Sequence, residues 1–185
     1  MKAYAETSLR TYDGTQLSSL FSYRNFKVQG DSIAVFRGPC NVALTEMVDL
    51  EDVLARDHIF SHDMLHFIVE HFDMDLEKTV VRQRLLVAII KEELEKHGVK
   101  DIHRDGDDLF RQANKLSVSI ATLSPVSTLI HTGLNISSID TPVPTVSLAE
   151  LGITDFLQFG REVAAAYCAE ISGIRAARCK VRGVG

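Results

Sequence analysis

Hydrophobic and polar positions alternate most regularly between Lys115 and Ile136. Leu116, Val118 and Ile120 interleave with Lys115, Ser117, Ser119 and Ala121. Further on, Thr128, Ile130, Thr132 and Leu134 interleave with Ser127, Leu129, His131, Gly133 and Asn135. A period of two marks a strand with one buried face. The pattern predicts an antiparallel hairpin of Lys115–Thr122 and Val126–Ile136, joined at Leu123-Ser124-Pro125, where a turn needs no ladder N–H from the proline. A three-residue connection sets Ser117 opposite His131 and Lys115 opposite Gly133, leaving one face as core and the other carrying Lys115, Ser117, His131 and Asn135. A face of small residues with one charge reads in two ways: the watered side of a sheet, or a wall with room for a ligand.

The remaining pattern predicts scaffold around this hairpin. Tyr4–Leu9 reads as an opening strand, and Asp13-Gly14-Thr15 as a turn that caps a short helix from Gln16 to about Asn25. Asp31–Arg37 is β-rich and is expected to stop at Gly38-Pro39. Residues from Val48 to Leu54 begin a short helix with acids in its first turn. Met64–Phe72 is nearly continuous in apolar and aromatic residues, as suits a central strand covered on both sides. Asp75–His97 has helical spacing at Leu76, Val80, Val87, Ile90 and Leu94, and ends at Gly98. Arg104–Asp108 and Gln112-Ala113-Asn114 are turns that deliver the chain to Lys115. Asp140–Ser147 is a proline-containing loop, and Thr154 or Asp155 caps a last helix to about Ile174 whose stripe is Phe156, Gly160, Val163, Tyr167 and Ile171. Hairpin-like strands with few long helices predict an α+β domain, a mainly antiparallel sheet with helices packed on one side, spanning residues 1–185 as one unit.

Composition narrows the class. With 45% hydrophobic and 24% charged residues over 185 positions, the chain has the make-up of a globular domain. No apolar run is long enough to span a bilayer and MKAYAETSLR is not a secretory signal, so the expectation is a cytoplasmic protein with no membrane partner. Cys40, Cys168 and Cys179 lack metal-knuckle or disulfide spacing. A net charge of −5 disfavours DNA, although Arg175, Arg178, Lys180 and Arg182 form a basic tail suited either to water or to phosphate and RNA. P-loop, GxGxxG, GxSxG and HExxH motifs are absent, which removes support for several enzyme classes.

Candidate chemistry concentrates in a few places. Arg37 and Gly38 stand at an expected strand end where backbone can approach a ligand, the plain alternative being a surface arginine at a turn. Asp107 and Asp108 are adjacent acids that can hold a ribose, Mg²⁺ or Lys115, or simply cap a turn. His58, His62 and His66 recur every four residues, the spacing of a zinc pair on a helix, but the strand-like half of that segment scatters them and no metal is assigned.

The segment GDDLFRQANKLSVSIA, followed by HTGLNI, resembles the superfamily of biotin and lipoate protein ligases and octanoyltransferases. There an aspartate turn leads to a functional lysine on a strand, and a later HG-x-LN strand pairs with it. Together with FRGPCNV, MVDLEDV, MLHFIVEHF and RQRLL, the whole chain resembles a prokaryotic family of unknown function grouped with that fold and with class II aminoacyl-tRNA synthetases. The resemblance places Lys115 at the lysine that contacts the acyl carbonyl or adenylate phosphate. Asp107 and Asp108 fall at the aspartate turn, and His131, Gly133 and Asn135 on the HG-x-LN strand. Two departures stand beside it. The glycine-rich nucleotide loop is reduced to Arg37-Gly38-Pro39-Cys40-Asn41-Val42, and no cysteine occurs in Thr141–Ile153, where octanoyltransferases carry one.

Two classes of function follow. One is an enzyme that activates or transfers a small carboxylate, with Lys115 as electrostatic catalyst, His131 as proton carrier and Arg37 and Arg104 as anion clamps, the use of ATP with Mg²⁺ being left open. The other is a non-catalytic module that kept the fold and recognises a nucleotide, an acyl metabolite or RNA. The acceptor in the first case is a protein or an RNA, and oligomeric state is left open.

Overall fold

The computed structural model describes residues 1–55 and 59–185. Two β-rich runs form its centre. The first, β2 (Ser32–Val42), continues past the expected stop at Gly38-Pro39 because the register shifts between Gly38 and Cys40. Proline is tolerated at such a bulge, where its missing N–H interrupts no ladder. The carbonyl of Pro39 instead accepts the N–H of Tyr12 at 2.9 Å. The second, β3 (Ile59–His71), is buried on both faces over its C-terminal half.

Around them the main sheet runs in the order β1 (Lys2–Ala5), β2, β3, β8 (Thr128–Asn135) and β7 (Ser117–Leu123). β1 is parallel to β2, and every other pairing is antiparallel. A second sheet holds β4 (Ile102–Asp105), β5 (Asp108–Arg111) and β6 (Asn114–Lys115). The segment expected to be a turn from Arg104 to Asp108 is thus a hairpin, reversing at Gly106 with φ +58°.

Two long helices cover one face of the main sheet. α3 (Leu76–Lys96) starts where the Asp75 carboxylate accepts the Lys78 N–H, as the sequence predicts, and buries Gln83, Leu86, Val87, Ile90 and Leu94. α4 (Phe156–Ala177) is capped by Asp155 and buries Phe159, Gly160, Val163, Tyr167 and Ile171 against β1, β2 and β3. The architecture is therefore α+β, a mostly antiparallel sheet with its long helices on one side. No helix among the described residues is long and apolar enough to cross a membrane.

The other face carries a smaller core of Tyr12, Phe21, Phe36, Cys40, Met64 and Ile68. Short α1 (Phe21–Phe26) covers part of it. The helix expected from Gln16 begins later because Asp13 spends its carboxylate on Thr15 in a local turn. A 3₁₀ turn (Leu44–Glu46) and α2 (Leu50–Ala55) follow β2 on this side.

The hairpin forms, in a different register. β7 is Ser117–Leu123 and β8 is Thr128–Asn135, closing at Leu123 opposite Thr128 around a four-residue loop. The loop is held by the Ser124 N–H donating to Ser127 O at 2.8 Å, and Ser127 Oγ is anchored on Glu70 Oε1 at 2.6 Å. Ser117 therefore opposes Leu134, and Ile120 opposes His131. The offset from the expected register is odd, so it exchanges the faces of one strand relative to the other. Ser117 and Ser119 share a face with Leu134 and Thr132 on the helix side, while Val118 and Ile120 join His131, Gly133 and Asn135.

Candidate functional site

On the face away from α3 and α4, a cleft of about 410 Å³ opens over β3, β8 and β7. Its apolar lining includes Met64, Val118, Ile120, Val42 and Ile59, and its polar floor is made by Tyr12, His131 and Asn135. Glu46, Asp49 and Asp52 from the turn and helix after β2 line it on one side, and Asp107, Asp108 and Lys115 on the other. Thr141–Val143 and Thr145 of the proline-containing loop complete it.

The floor is a stack of rings. Tyr12 lies on the His131 ring with centroids 3.7 Å apart and planes 11° from parallel, and Phe36 stacks on His66 at 5.0 Å. His66 Nδ1 and His131 Nε2 are 3.1 Å apart, and His66 Nε2 is 3.2 Å from the carbonyl of Gly38. Burial pushes the His66 imidazole down to about 4. Burial, reinforced by His66, drives His131 well below its ordinary value. Both rings are neutral at pH 7, and burial opposes the charged state that the proton-carrier role expected of His131 would pass through. Tyr12 is pushed up by burial and stays a phenol, and the buried Cys40 thiol is pushed up to about 12 and is inert.

Lys115 stands at the seam between the two sheets. It belongs to β6, not to the hairpin strand. Its N–H donates to Pro144 O, its carbonyl accepts the Val146 N–H, and Leu116, fully buried, carries the chain across to β7. Its ammonium is 2.7 Å from Asp108 Oδ2. Burial raises the Asp108 carboxyl above the usual range, and neighbouring Asp107 adds to this, while Lys115 and Ser117 oppose it. Ser117 Oγ takes the Leu109 N–H at 2.8 Å, substituting for a backbone partner where β5 meets β7. Gln83 of α3, which no motif pointed to, donates to both Asp107 Oδ2 (2.8 Å) and Ser119 Oγ (2.9 Å). At the edge strand, Ser117 and Ser119 still border the cleft beside these acids.

The structure thus gathers Lys115, His131, Asp107, Asp108, Ser117 and Asn135 around one cleft. Gly133 lies beneath it, where an added Cβ would meet Met64 Cε at 2.9 Å. Arg37, Gly38 and Arg104 lie elsewhere. Arg37 is opposite Leu65 on the helix face, paired with Asp63 at 2.5 Å and over the Phe156 ring, because Asp63 offers a bidentate partner there. Gly38 is pressed against the Arg10 backbone, which leaves no room for a ligand there, and Arg37 borders a separate hollow with Glu6, Thr154 and Asp155 on the opposite side of the sheet from the cleft. Arg104 is exposed on β4 and donates to Gly106 O. Sequence reasoning missed Tyr12, which falls in no regular element, and gave the acids near Asp49 only a capping role.

His62 and His66 lie on β3, four residues apart along an extended strand instead of one helical turn, and His62 pairs with Asp140 at 3.0 Å. His58 falls outside the described residues. Among those described, no group of three or more His, Cys, Asp or Glu side chains is placed to hold a metal ion.

Residues 1–182 match a family defined as a domain of unknown function (DUF366), and the chain belongs to that family. The uncharacterized protein MJ0805 of Methanocaldococcus jannaschii is 42% identical over 169 residues, 88% of this chain and 76% of its own. A protein of unknown function from Pyrococcus horikoshi shares the structure with a TM-score of 0.93 at 41% identity, covering 100% of this chain and 99% of that one. At the level of fold alone, the chain is similar to the biotin protein ligase of Aquifex aeolicus in complex with biotin and ATP (TM-score 0.60, 15% identity, 92% and 70% covered). It is similar in the same sense to protein Ta0514 from T. acidophilum with bound lipoic acid (TM-score 0.60, 13% identity, 93% and 87% covered).

Proposed function

We propose that the cleft binds a small carboxylic acid or its acyl derivative and that Lys115 acts there as an electrostatic catalyst of acyl transfer. The observation that carries this reading is the position of Lys115, the sole Lys or Arg among the described residues lining a cleft otherwise edged by acids. Its ammonium is fixed at the seam of two sheets, and the fold resembles proteins crystallised with biotin and with lipoic acid. A cation held there stabilises the negative charge that develops on an acyl oxygen as an acceptor attacks the carbonyl and the leaving group departs. In comparable sites such a contact is worth about 3 kcal/mol. None of the three cysteines lines the cleft, so the transfer is direct and passes through no thioester on the chain.

The fit to ATP is poor. Adenylation requires several groups that clamp phosphates, and Arg37, Gly38 and Arg104, which the sequence offers for that task, are turned away from the cleft. Acyl transfer from an already activated donor needs only the oxyanion contact. This same shortage of cations also favours a second reading, a non-catalytic module that holds an acyl metabolite. Lys115 is already neutralised by Asp108, and the acid-lined rim discourages polyanions.

A panel of C2–C10 carboxylic acids and their thioesters separates these readings, with binding measured by calorimetry and turnover by release of free thiol in the presence of amine acceptors. Turnover that falls about a hundredfold in Lys115→Met, with thermal stability unchanged, supports catalysis. Binding without turnover on any member supports the module. Failure of every acid and thioester to bind rejects both.

A further inference from the structure

The floor of the cleft has a fixed hydrogen-bonding polarity. The carbonyl of Gly38 can only accept, so His66 Nε2, at 3.2 Å, carries the proton. A neutral His66 then has a lone pair on Nδ1, and His131 Nε2, 3.1 Å away, must be the donor between the rings. His131 is left with a lone pair on Nδ1. That atom has no partner among the described residues, although the side chain is only 3% exposed and lines the cleft. The ring is prevented from turning by its bond to His66 and by Tyr12 stacked on it at 3.7 Å. The Tyr12 hydroxyl, beside it on the floor, likewise has no partner among the described residues. Around them the floor is Met64, Val118 and Ile120, which offer no donor, and Asn135, whose amide donates to the Lys115 carbonyl at 3.4 Å.

We infer that His131 Nδ1 is a specificity-determining acceptor, and that the ligand's buried end carries a neutral N–H or O–H donor of the amide or hydroxyl class. A purely hydrocarbon tail would strip water from an acceptor on the cleft floor and give nothing back. A carboxylate or unprotonated carbonyl would face it lone pair to lone pair. The inference deepens the reading above by naming the far end of the ligand. It depends on that reading only in placing the ligand in this cleft.

The test uses neutral probes, so that it does not depend on a carboxylate. Long-range ¹H–¹⁵N spectra of the ¹⁵N-histidine-labelled full chain at pH 7 should show His66 and His131 both protonated on Nε2 and bare on Nδ1. Titration then compares 2-pyrrolidinone with N-methyl-2-pyrrolidinone, and phenol with anisole, pairs that differ in one donor hydrogen. The donor member of at least one pair should bind about tenfold or more tightly and shift the His131 Nδ1 signal, and His131→Phe, which keeps the stack on Tyr12, should abolish the preference. A proton on His131 Nδ1 overturns the inference, whether or not the variant folds. So does equal binding within both pairs, or the absence of any response at His131. Donor-selective binding of these probes alongside failure of every acid and thioester would leave the polarity of the floor standing and remove the carboxylate reading.

Discussion

Lys115 Nζ and Asp108 Oδ2 are 2.7 Å apart at the rim of the cleft, so any anionic ligand reaching the ammonium competes with a carboxylate already in place. Burial has raised the Asp108 carboxyl, and Lys115 is among the groups holding it down. A ligand carboxylate that takes over Lys115 removes that counterweight, and Asp108 gains a proton. The complex then binds more protons than the free protein, so affinity should rise as pH falls, as long as the ligand stays ionised. Asp108→Asn should bind carboxylates about tenfold more tightly at pH 7 and lose most of this pH dependence. Calorimetry in buffers of different ionisation enthalpy measures the proton taken up. A wild-type affinity that does not change between pH 5.5 and 8 would remove Asp108 from competition for Lys115.

The paired histidines make the fold acid-sensitive. His66 titrates at about 4 in the folded chain because burial penalises its charged form, against about 6.5 when unfolded. Between these values the unfolded chain binds more protons, so stability is full above pH 6.5 and declines as pH falls toward 4. The shift corresponds to at most about 3 kcal/mol from this residue. His131, also depressed by burial, acts with the same sign. Urea unfolding followed from pH 7 to pH 4 should show the loss, and His66→Phe should flatten the slope even if it lowers stability at pH 7.

The sequence carried the scaffold more clearly than the site, and the reasons are local. Asp75 and Gly98 bound α3 by chemistry confined to a few residues, a carboxylate on the Lys78 N–H and a left-handed turn at φ +81°. The hairpin strands were legible for the same reason. Their register was not, because it is set by Ser127 bonding Glu70 on a strand 57 residues away. Lys115, Asp108 and His131 were recognisable as types at meaningful positions, whereas the neutrality of His131 depends on His66 and the Gly38 carbonyl. Arg37 was misplaced because the bulge at Pro39 lets β2 run on, and Arg37 then sits mid-strand opposite Leu65 with its side chain turned to Asp63. Tyr12 carried no sequence signal, since its place is fixed by backbone bonds to Pro39 and Asn41 in another segment.

Gly160 tests how closely α4 approaches the sheet. In an exposed helix interior, glycine to alanine gains about 1 kcal/mol of helix propensity. Here the added Cβ would lie 2.6 Å from Val35 Cγ1 and 3.3 Å from Leu65 Cδ1, both in strands of the rigid core. The helix must lift or the valine must leave its rotamer, so Gly160→Ala should destabilise by about 1–3 kcal/mol net. Alanine at Gly173 on the same helix, with open space around it, should stabilise. Equal effects at the two positions in thermal unfolding would show that α4 does not pack this closely.

The C-terminal helix is tied to the sheet through one carboxylate. Asp31 accepts from His71 Nδ1 at 3.0 Å, from the Phe72 N–H at 3.0 Å and from Arg175 of α4. With Nδ1 committed as donor, His71 Nε2 is the acceptor for the Tyr167 hydroxyl at 3.0 Å, so Asp31 also sets the tautomer that α4 needs. Burial alone would raise the Asp31 carboxyl, but these partners outweigh it and hold the group well below the carboxylate range. Its contribution to stability is therefore present above about pH 4 and lost as pH falls through the lower folded value. Asp31→Ala leaves the buried His71 Nδ1–H without an acceptor and also frees the Phe72 N–H and Arg175, and should cost about 2–4 kcal/mol at pH 7. Tyr167→Phe removes one hydroxyl and should cost about 1 kcal/mol. Because Asp31 acts on Tyr167 through the orientation of His71, the double variant should be less destabilised than the sum, by 0.5 kcal/mol or more in a double-mutant cycle. Additivity within error in urea unfolding would mean that His71 keeps its orientation without Asp31, and that the link from sheet to helix is two independent contacts.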